Sequence, residues 1–166
     1  MTVRCYVALG TNLGHRLENL LEARRRLALL GAHRAGPVLE TPALLPAEDP
    51  TPQPPYLNSV DALDTVLTPL GLFRALKFIE RDMGRVLTTR WAPRLIDLDL
   101  LLHGEAVLDS DLLTVPHPRL HERRFVLEPL VTLAPEAWHP GLRRTARQLW
   151  RALPVSPAPR GRPQST

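Results

Sequence analysis

The sequence predicts an α+β fold in which an antiparallel sheet is flanked by helices. Three observations lead there. Apolar residues alternate with period two at the start of the chain and again over 96–102, and they recur at helical spacing in two stretches between. The resulting order is strand, helix, strand, strand, helix, strand, the split arrangement of ferredoxin-like domains. A length of 166 residues, 44% of them hydrophobic, suits a single domain with a full core.

The first strand covers 3–9, where Val3, Cys5, Val7 and Leu9 share a face. The chain turns through 10–14 and enters a helix carrying Leu17, Leu20, Leu21, Leu27 and Leu30, with Gly31 placed as its C-terminal cap. A short strand near 35–41 leads into TPALLPAEDPTPQPP, whose prolines forbid both helix and interior strand. That stretch is a long loop, a kind that often carries function. Residues 56–65 make the next strand. Thr68 and Pro69 then supply an N-cap and a first-turn proline for a helix bearing Leu72, Phe73, Leu76, Ile79 and Met83, which Gly84 ends. In 96–102, Ile96, Leu98, Leu100 and Leu102 point one way while Asp97 and Asp99 point the other. The remaining pattern gives a short strand at 106–108 and helices at 125–133 and 145–153. The domain is 1–153, and the polar, proline-rich 154–166 is expected to be a disordered tail.

Composition narrows the function classes. There are 21 basic and 17 acidic residues, a net charge of +4, and Lys77 is the only lysine. Arginine's planar fork suits phosphate, although these arginines are scattered as a solvated basic surface would be. No apolar run is long enough to span a membrane and the N-terminus lacks the layout of a signal peptide, so a soluble, cytoplasmic protein without membrane contact is expected. The lone Cys5 excludes an internal disulfide and reads as a small buried hydrophobe. His15, His33, His103, His121 and His139 show no spacing with cysteine that would suit zinc.

The chemistry concentrates in RWAPRLIDLDLL at 90–101. Asp97 and Asp99 are one residue apart on a strand, so both carboxylates leave the same face about 7 Å apart along the backbone. Such a pair can grip magnesium, which takes a few carboxylate oxygens and keeps waters and substrate phosphates as its other ligands. An isolated Asp-Leu-Asp is most often the solvated face of an alternating strand. Here Arg90 and Arg94 lie just upstream with Trp91 and Pro93 between them, which adds phosphate-binding forks and a flat aromatic surface. That combination points to nucleotide triphosphate chemistry. Two other classes remain open on these residues: a nucleotidyltransferase with a palm-type domain, and an RNA-binding module of the same fold. Only 5% of residues are aromatic and acidic groups hold the exposed strand face, which counts against the second.

The same motif resembles that of the 6-hydroxymethyl-7,8-dihydropterin pyrophosphokinase family of folate biosynthesis. The similarity runs from VALGTNLG through Thr41 and Pro42, the YLN at Tyr56, the GR at Gly84 and LTVPHPRLHERRFVLEPL to the APE beyond it. It implies transfer of pyrophosphate from ATP to the pterin hydroxymethyl oxygen, with release of AMP and two Mg2+ ions. By that resemblance Asp97 and Asp99 hold the metal, with Arg94 and Arg85 assisting catalysis, and Asp97 orients the attacking hydroxyl. Arg85, Trp91, Arg94, His117, Arg123, Lys77, Glu80 and Thr114 fall at nucleotide-side positions. Thr41, Pro42, Leu44, Tyr56, Asn58 and Phe125 fall at pterin positions, two rings to sandwich the heterocycle and an amide to read its edge. ATP and a pterin are the expected partners, with no nucleic acid, and the protein is expected to be a monomer. Three departures stand out: leucine at Leu87 and Leu112 where other members carry arginine, Lys77 in place of glutamine, and a loop over 84–91 about one residue shorter.

Overall fold

The computed structural model describes residues 1–44, 51–84 and 94–154. Arg85 and Trp91, and the expected tail beyond Pro154, lie outside the described residues.

Nine strands and four helices are found among them, in a single α+β unit. In chain order they are β1 (Val3–Thr11), α1 (Arg16–Leu27), β2 (Ala32–Arg34), β3 (Leu39–Thr41), β4 (Tyr56–Thr65), α2 (Pro69–Asp82) and β5 (Asp97–His103). Then follow β6 (Leu108–Asp109), β7 (Thr114–Val115), a 3-10 turn (Leu120–Glu122), α3 (Arg124–Leu133), β8 (Trp138–His139), β9 (Arg144–Thr145) and α4 (Ala146–Ala152). The main sheet runs β2-β4-β1-β5, with β3 also paired to β4, and every pairing is antiparallel. β1 and β4 are therefore central, and β5 forms an edge.

The alternation of β1 builds two cores. Cys5, Val7 and Leu9 face Leu20, Ala23 and Leu27 of α1 and Leu72, Leu76 and Ile79 of α2. Tyr6, with Val60, Ala62 and Leu102, faces Val126, Leu127 and Leu130 of α3 and Ala146 and Leu149 of α4. Helices thus cover both faces. Cys5 is fully buried and burial pushes its thiol up to about 12, so it acts as an inert core residue.

The caps behave as the residue types require. The Thr68 hydroxyl accepts from the Gly71 N–H ahead of Pro69, and Thr145 forms a reciprocal capping box with Gln148. Gly84 follows α2 with φ of 92°, a conformation that favours glycine. Gly31 differs from its expected role. The helix stops at Leu27 with Ala28 as its cap, and Gly31 instead lies so close to β4 that a Cβ would overlap the carbonyl of Asp64.

Three further expectations are corrected. The strand near 35–41 is two short strands on the same edge of β4, β2 lying before that range and β3 at its end. The strand placed at 106–108 is the two-residue β6. Leu102 leaves the face shared by Ile96, Leu98 and Leu100: Tyr6 pairs with Leu102 but Val7 pairs with Leu100, so Leu101 is an extra residue. This bulge flips the strand's later half onto α3 and α4.

Candidate active site

Asp97 and Asp99 alternate with Leu98 and Leu100, which face α1 and α2, so the two carboxylates lie on the α3 side of the sheet. Gly10 of β1 is paired with Asn58 of β4 on one flank and Asp97 of β5 on the other. One step along, Ala8 lies between Val60 and Asp99. Paired residues of antiparallel strands project from the same face, so Asn58, Gly10 and Asp97 form one row and Val60, Ala8 and Asp99 the next. The two small residues at the centre keep the row low. A Cβ on Gly10 would come within 3.2 Å of the Asn58 Oδ1 and 3.7 Å of the Tyr56 ring.

Each aspartate has a cation beside it. Arg94 Nη1 is 3.0 Å from Asp97 Oδ1, and Lys77 Nζ is 3.6 Å from Asp99 Oδ1. The carboxylates remain accessible, with 27% and 34% of their side chains exposed. Two accessible carboxylates on one strand suit magnesium, whose other ligands are waters and phosphate oxygens. Among the described residues no group of three or more His, Cys, Asp or Glu is placed to hold a metal, so the pair would work with exogenous oxygens.

Lys77 and Glu80 of α2 meet the open edge of β5. The Leu98 N–H donates to Glu80 Oε1 at 2.6 Å, and Lys77 donates to the Leu98 carbonyl at 2.9 Å and to Glu80 Oε1 at 3.0 Å. Side chains thereby complete the hydrogen bonding that a further strand beyond β5 would otherwise provide. Glu80 is 2% exposed, and burial raises its carboxyl above the usual range despite Lys77 and the Leu98 N–H. Its carboxylate therefore reaches the site through the backbone between Asp97 and Asp99.

His117 and Arg123 approach from the α3 side. The His117 N–H donates to the carbonyl of Leu101, the bulge residue, and its Nδ1 accepts from the Arg119 N–H at 3.2 Å. Burial holds the imidazole below its ordinary pKa, Asp99 opposes that, and Arg123 and Arg119 reinforce it. Burial holds the Arg123 guanidinium below its ordinary pKa, Arg119 reinforces that, and Asp99 and Asp97 oppose it. It also lies 5.8 Å from the centre of the Phe125 ring. Phe125 is the second residue of α3, and Pro129 one turn later has no N–H for its carbonyl.

The acceptor side forms around Asn58 and Tyr56. Asn58 Nδ2 donates to the Thr41 hydroxyl at 2.7 Å, a bond that sets the direction of the amide. Thr41 itself pairs with Tyr56. Burial raises the Tyr56 phenol, with Arg94 opposing and Asp97 adding, so the phenol lies within the field of those two charges. Not every expected residue joins the cluster. Leu44 is 68% exposed and Pro42 is exposed. Thr114 lies on β7 with its hydroxyl donating to Asp109 at 3.1 Å.

The sequence reading took 10–14 as scaffold, and there it missed Asn12. This residue is fully buried. Its amide donates to Gln53 Oε1 and to the Pro54 carbonyl, its Oδ1 accepts from the Arg94 N–H at 2.9 Å, and its own N–H donates to the Arg94 carbonyl. Asn12 thus ties the lead-in of β4 to the lead-in of β5 and fixes the backbone that carries Arg94. A polar residue directly after an apolar strand was the available signal.

Comparison with known proteins completes the description. A family model described as 7,8-dihydro-6-hydroxymethylpterin-pyrophosphokinase matches residues 6–135. A 2-amino-4-hydroxy-6-hydroxymethyldihydropteridine pyrophosphokinase of Pseudomonas aeruginosa is 45% identical over 139 residues, covering 82% of this chain and 83% of that protein. The mitochondrial folate synthesis bifunctional protein of Pisum sativum is 47% identical over 130 residues; these are 76% of this chain but only 24% of that protein. A crystal structure of Plasmodium falciparum HPPK-DHPS has the same fold, with a TM-score of 0.67 at 16% identity, over 91% of this chain and 45% of that one.

Proposed function

The chain belongs to the 7,8-dihydro-6-hydroxymethylpterin-pyrophosphokinase family, and we propose how its own residues carry out that family's reaction. The protein transfers pyrophosphate from ATP to the hydroxymethyl group of 6-hydroxymethyl-7,8-dihydropterin and releases AMP, a step of folate biosynthesis. The observation that carries the assignment of residues is the row Asn58, Gly10, Asp97. It sets an amide able to read a heterocycle edge one strand away from a carboxylate able to hold metal.

In this reading Asp97 and Asp99 hold two Mg2+ ions, which would neutralise phosphate charge and polarise the β-phosphorus. Tyr56 and Phe125 sandwich the pterin, and Asn58, oriented by Thr41, takes its edge, with Pro42 and Leu44 at the rim. That places the hydroxymethyl group toward Asp97. Its oxygen, oriented by Asp97, bonds to the β-phosphorus as the bond from that phosphorus to the α–β bridging oxygen breaks, and the hydroxyl proton passes to solvent water. Arg94, His117 and Arg123 bind the triphosphate, where charge-assisted hydrogen bonds strengthen as AMP leaves. Arg85 and Trp91 are assigned to the same nucleotide, and Thr114 to its outer margin. Glu80 acts at one remove by holding the edge of β5.

We take 1–153 as the catalytic unit, monomeric and cytoplasmic, with a ferredoxin-like sheet order and no nucleic-acid partner. The order β2-β4-β1-β5 supports that description of the sheet. No helix among the described residues is long and apolar enough to cross a membrane. The test is the product. Protein, Mg2+, ATP and hydroxymethyldihydropterin, resolved by anion-exchange chromatography, should yield AMP and the pterin diphosphate in equal amounts. Release of free pyrophosphate without a pterin product would return the site to the nucleotidyltransferase class.

A further inference from the structure

Lys77, the only lysine of the chain, is fixed in place. Its ammonium is held by the Leu98 carbonyl and by Glu80, and it lies 5.7 Å from the centre of the Phe73 ring. From that anchorage it stands 3.6 Å from Asp99. Withdrawing it would take from Glu80, 2% exposed, the ammonium that donates to its carboxylate. Arg94 is different in kind, a guanidinium at the lead-in to β5 beside Asp97. Asp97 thus faces a guanidinium carried by the lead-in to β5, and Asp99 an ammonium anchored to helix and strand. A divalent cation engaging Asp99 must bind beside the anchored charge. Fixed positive charge at that range opposes cation binding.

We propose that Lys77 is a positioning residue that holds down the divalent-cation affinity of the Asp99 side of the site, acting through the charge it keeps beside that carboxylate. The inference rests on the reading of Asp97 and Asp99 as metal ligands. Glutamine at this position would keep a donor for the Leu98 carbonyl and remove the charge, whereas arginine would keep the charge.

The experiment is a Mn2+ titration of the nucleotide-free protein, followed by the paramagnetic resonance signal of the free ion. Lys77→Gln should tighten binding about three- to tenfold, and Lys77→Arg should stay within about twofold of the parent. A variant that merely loosened the fold would not bind metal more tightly. The double variant Lys77→Gln/Glu80→Gln removes the buried carboxylate together with its cation. If the single variant does not fold, the double variant decides by comparison with Glu80→Gln alone, over which it should bind Mn2+ more tightly by a similar factor. Equal or weaker binding in these variants overturns the proposal. Asp99→Asn separates the two readings. If it binds Mn2+ like the parent, or the parent shows no saturable binding, the metal assignment itself fails. If it loosens binding while Lys77→Gln does not tighten it, only the role of Lys77 falls.

Discussion

Asp61 and the pair Asp97 and Asp99 occupy the same sheet and are treated in opposite ways. Asp61 of β4 is 1% exposed, and its carboxylate accepts from both nitrogens of an Arg24 fork, from Ser59 and from the Gly36 N–H. His33 adds a contact of 2.7 Å. Arg24 also reaches the Gly36 carbonyl and Ser59, so the group welds α1 to the chain between β2 and β3. The pair on β5 keeps a third of its surface or somewhat less open and has Arg94 and Lys77 at its side. A carboxylate saturated by its own protein has no capacity for a ligand. One left accessible beside movable or fixed cations does.

The sharpest break of this comparison is substitution. Asp97→Ala and Asp99→Ala should each lower turnover at least about a thousandfold while leaving the melting temperature nearly unchanged. Asp61→Ala should do the reverse, costing about 3–5 kcal/mol because Arg24 is left buried without its counter-charge, with near-normal turnover in the folded fraction. Steady-state rates with denaturant melts check both, and a β5 variant with full activity would end the metal assignment.

A smaller effect is expected at Gly10. Gly10→Ala puts a methyl 3.2 Å from the Asn58 Oδ1 and against Tyr56. The KM for the pterin should rise about tenfold while that for ATP holds, a split that initial rates at varied concentrations of each substrate would show. An equal rise in both would move the pterin away from this row.

The smallest effect concerns protons. Burial, helped by His121, holds His139 below its ordinary pKa near 6.5. The unfolded chain therefore takes up this proton first as pH falls. Stability contributed by neutral His139 is full above that ordinary value and is lost on the way down toward the folded one. Its Nδ1 accepts from the Leu142 N–H, a bond that protonation removes. In His139→Asn the fall of Tm between about pH 7.5 and about pH 5 should become shallower, by scanning calorimetry. An unchanged slope would remove His139 as a source of acid sensitivity.

Much of this was legible beforehand because local periodicity encodes it. β4 and the N-cap of α2 at Thr68 fall where the residues place them. The two-residue strands β7, β8 and β9 leave no period to read, since two residues cannot define one. Asp97, Asp99, Asn58 and Tyr56 could be named from the chain, but that Gly10 lies between them is a matter of strand pairing. Asn12 and Asp61 escaped for a related reason. Their roles reside in partners about 25 to 80 residues away, which local periodicity does not encode. Asp61 did leave a trace: it shares strand parity with the buried Leu63, and a charge in such a position requires a buried partner.

The extra residue at Leu101 has a consequence for how β5 tolerates change. Before it, a mutational scan should show strict alternation, with Ile96, Leu98 and Leu100 refusing polar residues. After it the phase jumps, and Leu101 and Leu102 in succession should both refuse them. Deleting Leu101 would leave Tyr6 opposite Leu102 and Val7 opposite Leu100 in an unbroken ladder, with the carboxylates and Leu102 on their present faces. Leu101 is therefore the place where β5 can lose a residue and keep its frame, whereas a residue lost between Asp97 and Leu100 shifts the pairing of the carboxylates.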